Sequence, residues 1–185
     1  ANEVSRATGV RPAFLLAILT QESNLGANVG SCYLTNLDTG DGVGKNSGTA
    51  FERVMKSPRD TAPFRNITAS LGRDWQKTAV SCPIGSTRYY VGRGYGGAMG
   101  PAQFIPSTWE LFKNRIADGL KVLLPDPWNP EHAFMASALY LIDLGAKNGS
   151  YTGEIRAACK YYGSGGSSCS YGNQVMAKAY TIQTT

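Results

Sequence analysis

Leu15-Leu16-Ala17-Ile18-Leu19-Thr20-Gln21-Glu22-Ser23-Asn24-Leu25-Gly26 is an apolar helical stripe with one carboxylate set into it. Steps of three and four from Leu15 select Ile18, Leu19 and Glu22, and Leu25 continues the same face. Glu22 therefore falls on the side meant for the core. A carboxyl there meets a low dielectric, which favours its neutral form and raises its pKa toward the range a general acid needs at neutral pH. The competing placement turns Glu22 outward at the helix end, solvated or paired with an arginine.

Outward from this helix, the chain reads as a run of short helices. Asn2 to Thr8 forms one, stopped by Gly9, and Pro12 suits the first turn of the next, which runs to about Asn24 with Gly26 as its cap. Glycine and small polar residues make 28–48 a loop. Thr49 to Met55 and Thr61 to Gln76 read as helices, the second placing Ile67, Leu71 and Trp75 on one face. Thr87 to Val91 is β-prone but long enough only for a ribbon. Further helices are expected over Ser107–Ala117, capped by Ser107, then Glu131–Leu144, Gly153–Tyr162 and Tyr171–Tyr180. No repeat or linker divides the chain. The expectation is a mainly α (α+β) fold: a single helical domain over 1–185, with a minor β-ribbon and a substrate cleft.

At 185 residues and 42% hydrophobic composition the chain can bury a substantial core. It lacks any apolar run of about 18 residues, so no transmembrane segment is expected. Nor do the first residues, Ala1-Asn2-Glu3-Val4, resemble an export signal. A net charge of +5 favours an anionic partner: nucleic acid, a membrane surface or a cell-wall polymer. The basic residues are spread from Arg6 to Lys178 without a dense block or aromatic interleaving, which argues against nucleic acid.

Cys32, Cys82, Cys159 and Cys169 include no Cys-x-x-Cys pair, and His132 is the lone histidine, so the spacing argues against zinc. Two disulfides are the better reading. Of the three pairings, Cys32–Cys82 with Cys159–Cys169 closes the most local loops, and an oxidising, extracytoplasmic home (periplasm, cell wall or secreted) would follow. His132, after Pro130 and Glu131, fits the first turn of a helix better than a catalytic base. The segment Asn36 to Gly42 resembles the start of a calcium loop, but a glycine replaces one ligand and the closing glutamate is missing. Gly92, Gly94 and Gly97 spell G-x-G-x-x-G without the strand, βαβ unit and downstream acid of a dinucleotide site.

Gly100-Pro101-Ala102-Gln103-Phe104-Ile105-Pro106-Ser107-Thr108-Trp109 differs in kind. Small residues let the backbone approach a partner, Gln103 offers donor and acceptor together, and Phe104 supplies an aromatic. That combination suits a sugar. It also suits a tight structural turn before a helix.

Four blocks in order, Gln21-Glu22-Ser23, Gly97 through Trp109, Asp126-Pro127-Trp128-Asn129-Pro130 and Lys160-Tyr161-Tyr162-Gly163, resemble lytic murein transglycosylases. The middle block is most similar to the membrane-bound lytic transglycosylase B group, with its Gly-Ala-Met-Gly, two variable residues and Gln-Phe-x-Pro-Ser. The Glu-Ser and tyrosine pairs resemble the wider soluble transglycosylase and goose-type lysozyme superfamily. The resemblance implies a lysozyme-like α-helical domain cutting the β-1,4 bond between N-acetylmuramic acid and N-acetylglucosamine. It implies Glu22 as the catalytic acid, and Ser23, Met99, Gln103, Phe104, Tyr161 and Tyr162 at the substrate. Tyr162 matches the tyrosine of the family's Tyr-Asn pair and Gly163 stands in the asparagine's place; Tyr161 gives the same match shifted by one. Residues 28–96 then form an insertion particular to this chain.

A glycosidase of the usual kind uses two carboxylates. Asp38, Asp41, Glu52, Asp126 and Glu131 each fall in loops or near helix starts, where solvated capping is the better role. The expected chemistry is therefore that of one acid, Glu22, with the substrate's own C6 hydroxyl as nucleophile and a 1,6-anhydro end as product. A muramidase that uses water and a non-catalytic glycan-binding module are the alternatives. Neither metal nor organic cofactor is needed. The expected partners are peptidoglycan glycan strands, met by a monomer.

Overall fold

The computed structural model describes residues 1–83, 94–146, 149–164, 166 and 168–185. Helix α2 (Pro12–Ser23) lies at its centre, entered through extended Arg11 with Pro12 at its first position. Phe14, Leu15, Ala17, Ile18 and Leu19 are all fully buried, so more than one face of α2 meets the core. Helix α7 (Ser170–Thr184) packs along it, with α5 (Pro130–Asp143) and α1 (Asn2–Thr8) against other faces. The stripe ends at Glu22 rather than Leu25. Asn24 caps the helix in a left-handed conformation, Leu25 follows with φ 56°, and the chain turns so that Leu25 is 53% exposed.

The remaining helices wrap this centre. Helix α4 (Pro106–Leu120) packs on α5 and on α3 (Thr61–Ser70), and α6 (Tyr151–Tyr161) packs on α5 and α7. Asn129 starts α5 by accepting the Glu131 N–H at 2.9 Å, and His132 Nδ1 in its first turn accepts the Asp126 N–H at 2.8 Å. Ser107 does not cap α4. The helix starts one residue earlier, and Asp60, from the start of α3, accepts both the Ser107 N–H at 3.1 Å and its hydroxyl at 2.6 Å. A buried acid thus supplies from a distance the negative charge that a helix N-terminus favours.

Two stretches differ from expectation. The segment read as a loop contributes β1 (Cys32–Leu34) and β2 (Gly42–Gly44), and β3 (Ala50–Phe51) replaces the helix expected over Thr49 to Met55. They form one antiparallel sheet in sequence order, with Tyr33 opposite Val43 and Val43 opposite Ala50. Strands of two or three residues carry too little alternation to be legible, and Gly42 is required because a Cβ there would lie 2.1 Å from the Tyr33 carbonyl oxygen. The helix expected over Thr61 to Gln76 breaks after Ser70: Gly72 adopts φ 65°, and Trp75–Lys77 forms a separate 3₁₀ turn. The expected ribbon over Thr87 to Val91 lies outside the described residues. Both disulfides pair as the local reading expected, Cys32 with Cys82 and Cys159 with Cys169. The fold is mainly α with a small sheet.

Candidate active site

Glu22 stands in the last turn of α2, partly buried, and its Oε1 accepts the phenolic hydrogen of Tyr171 from α7. Burial holds its carboxyl above the ordinary carboxylate range, and the Tyr171 hydrogen bond pulls it back in part. The carbonyl end of α2 acts in the same direction as burial, since a helix C-terminus disfavours added negative charge. The Tyr171 hydroxyl is in turn driven far up, by burial first and then by the charge of Glu22, so it stays a donor.

The turn from Gly97 to Gln103 docks against the C-terminal end of α2. Met99 and Phe104 bridge across it, with the Met99 N–H donating to the Phe104 carbonyl at 2.9 Å. A Cβ on Gly100, at φ 61°, would lie 1.9 Å from the Pro127 carbonyl oxygen, so glycine lets the turn rest directly on the Asp126-to-Pro130 loop. Ser23 joins α2 to the same turn: its hydroxyl donates to the Pro101 carbonyl at 2.6 Å and accepts the Gly26 N–H at 2.9 Å. Gln103 takes a left-handed conformation, φ 54°, and its side-chain amide donates to the Gly100 carbonyl at 2.9 Å.

Not every residue expected at the substrate is at the surface. Ser23, Met99 and Phe104 are 2%, 0% and 4% exposed, so all three are buried. Phe104 is the hub of an aromatic cluster, meeting Trp109, Phe112, Tyr140 and Tyr161 edge to face. Only its edge reaches a recess of about 240 Å³, which Gln103, Ile105, Thr108, Tyr140 and Tyr161 also line.

Tyr161 and Tyr162 part company. The Tyr161 hydroxyl turns inward, donating to the Ala102 carbonyl at 2.9 Å and lying 3.1 Å from the Ser137 hydroxyl. Burial and the nearby charge of Glu22 push its pKa up. Tyr162, one residue past α6, is exposed and makes its ring contact with Tyr171. Sequence reasoning missed Tyr171 and Tyr140, both read only as helix residues. Tyr171 is 149 positions from Glu22, beyond the reach of any periodicity, and the one local cue was its place two residues after Cys169.

The other acids are occupied or remote from burial. Asp60 binds Ser107; Asp74, Glu110, Asp126, Asp143 and Glu154 pair with Lys77, Lys113, Arg73, Arg115 and Arg11. Asp41 accepts the Arg53 N–H at 3.2 Å, while Glu3, Asp38, Glu52, Asp118 and Glu131 are exposed. In the calcium-like segment the Asn36 side-chain oxygen accepts two backbone N–H groups of its own turn, and the described residues contain no cluster of three or more metal-ligating side chains.

Helices packed around a central α2 thus carry, in its last turn, a carboxyl raised by burial and bonded to a single phenol. No protein-family model and no curated protein sequence matches the chain. Solved structures do. The Escherichia coli lytic transglycosylase Slt35 in complex with bulgecin A matches with a TM-score of 0.63 at 14% identity, over 99% of this chain and 69% of that one. The same enzyme in complex with calcium gives 0.65 at 14%, over 99% and 69%. A 36 kDa muramidase/transglycosylase gives 0.65 at 14%, over 99% and 70%. The chain therefore has the mainly α, lysozyme-like fold of these lytic transglycosylases.

Proposed function

We propose that this protein is a peptidoglycan lytic transglycosylase. The observation that carries the reading is Glu22: a carboxyl raised by burial, held by one phenol, with every other carboxylate paired, bound in a turn or exposed. Protonated, Glu22 donates to the glycosidic oxygen as the bond to muramic C1 breaks, and the substrate's N-acetyl carbonyl oxygen shields C1. As carboxylate it then takes the proton of the C6 hydroxyl while that oxygen bonds to C1. The acid returns protonated, the new end is a 1,6-anhydro sugar, and no water is consumed.

Tyr171 orients Glu22 and stabilises its carboxylate in the second step. Gln103 meets a sugar hydroxyl or amide, with Tyr140 and Tyr161 walling the recess; Ser23 and Met99 act from below, by holding the turn. The tyrosine that serves the family's motif is Tyr161, beside Glu22. That assignment sets Tyr162, rather than Gly163, in the asparagine's place. The Gly97-to-Trp109 block supports a B-type enzyme. The basic surface suits an anionic wall polymer, the two disulfides suit an extracytoplasmic site, and no described helix is long and apolar enough to cross a membrane.

Incubation with purified sacculi tests the reading. Wild-type protein should release soluble muropeptides, and Glu22→Gln should not while still sedimenting with the sacculi. Sedimentation without turnover by the wild type would make the protein a glycan-binding module instead.

A further inference from the structure

Away from Glu22, the groove between α2 and α7 opens into a recess of about 550 Å³ walled by Leu16, Leu25, Ala177 and Ile182. Glu22, two positions past Thr20, projects from the other side of α2. Leu16 and Ile182 also line a second recess of about 360 Å³ that continues past Ala13 and Pro12, so the groove runs along α2. Its polar groups are already spent. Thr20 and Thr181 donate to the Leu16 and Ala177 carbonyls of their own helices, at 2.8 and 3.2 Å. Gln174 accepts from the Gln21 amide at 3.1 Å and donates to the Ser170 hydroxyl at 3.3 Å, and Arg11 is bound to Glu154. One group is left over. Lys178 is half-buried in the wall and makes no ion pair among the described residues, and no acid lines either recess. At the rim Leu25, its N–H donating to the Leu19 carbonyl at 3.1 Å, stays 53% exposed.

We propose that this groove binds a lipid as a single acyl chain with an anionic head: the chain lies between α2 and α7, and the head pairs with the Lys178 ammonium. Charge selects the head. An unpaired cation partly stripped of water gains from an anion, and no carboxylate in the walls repels one. The walls select the chain. An extended peptide would bring backbone N–H and carbonyl groups that the spent side chains of the groove leave unbonded, whereas a hydrocarbon chain brings none. This site is separate from the cleavage chemistry and does not rest on it.

The test is calorimetric titration of dodecyl phosphate, kept below its micelle-forming concentration, into the full chain. Decyl phosphate and the uncharged hexaethylene glycol dodecyl ether are titrated for comparison. Each buried methylene contributes up to about fourfold in affinity, so the decyl chain should bind about fourfold to fifteenfold more weakly than the dodecyl. Lys178→Ala should weaken dodecyl phosphate about twofold to fivefold and leave the uncharged ether unchanged. Ala177→Trp fills the recess from an exposed position, so it should abolish binding of both while melting temperature and turnover of sacculi stay close to wild type. Absence of binding by the wild type overturns the proposal, as does binding that ignores chain length or survives Ala177→Trp. Concentration-dependent dimerisation that Ala177→Trp removes, with no amphiphile bound, also overturns it by making a second copy of the chain the occupant.

Discussion

Tyr171→Phe removes one atom from the site and leaves the rest standing. The Phe ring keeps the stack on Tyr162 and the packing of α7 on α2, so the change isolates the hydrogen bond to Glu22. A hydrogen bond to a charged group is worth roughly 1.5–3 kcal/mol, and the site is mostly shielded from solvent, so little of that is lost to screening. The bond is strongest when Glu22 is ionised, which is its state while accepting the C6 proton. Its loss should lower kcat roughly ten- to a hundredfold with KM nearly constant. Direction in pH follows from the same bond: it is the influence that lowers the Glu22 pKa, so its removal moves the pH limb governed by Glu22 upward. Release of soluble muropeptides, measured against substrate and pH, reads both effects. Wild-type kcat with an unmoved limb would refute the role given to Tyr171.

Glu22→Gln bears on stability as well as turnover. Because the folded-state pKa of Glu22 lies above its unfolded value, the folded protein binds the proton more tightly, and stability falls as pH rises through that window. The variant should melt a few degrees above wild type at neutral pH, with the gap closing on acidification toward the ordinary carboxylate range. Thermal melts at several pH values check this. Glu154, 1% exposed, depends on Arg11 at 2.5 and 3.0 Å, so Arg11→Met should cost about 3 kcal/mol by leaving a buried carboxylate unpaired, seen as a lower urea midpoint. Gly100→Ala should destabilise by roughly 2 kcal/mol or more, since it meets both the left-handed backbone penalty and Pro127. Its kcat should fall further than its melting point suggests, because Gln103 moves with the turn.

The long helices were legible because their signals are local. Pro12 starts α2 as its place in the first turn required, and Leu15, Ile18 and Leu19 are buried as their spacing required, while α4 and α5 each begin one residue earlier than read, at Pro106 and Pro130. Glu22 was legible for the same reason, as an acid on an apolar face. The sheet was not, since its strands are too short for alternation to register, and a Cys32–Val80 bridge depends on residues far apart in sequence. Phe104 and Met99 have the composition of a sugar wall yet are buried, because close packing of Gly100 on Pro127 draws the turn into the core. Tyr171 was invisible for a physical reason: its partner arrives only when α7 closes along α2.

The mass of the product tests the central claim most directly. Sacculi digested by the wild-type protein in heavy-oxygen water should yield muropeptides whose new ends are lighter by one water than reducing sugars and carry no label. Labelled, full-mass reducing ends would show that water attacks C1, and would make the protein a muramidase rather than a transglycosylase.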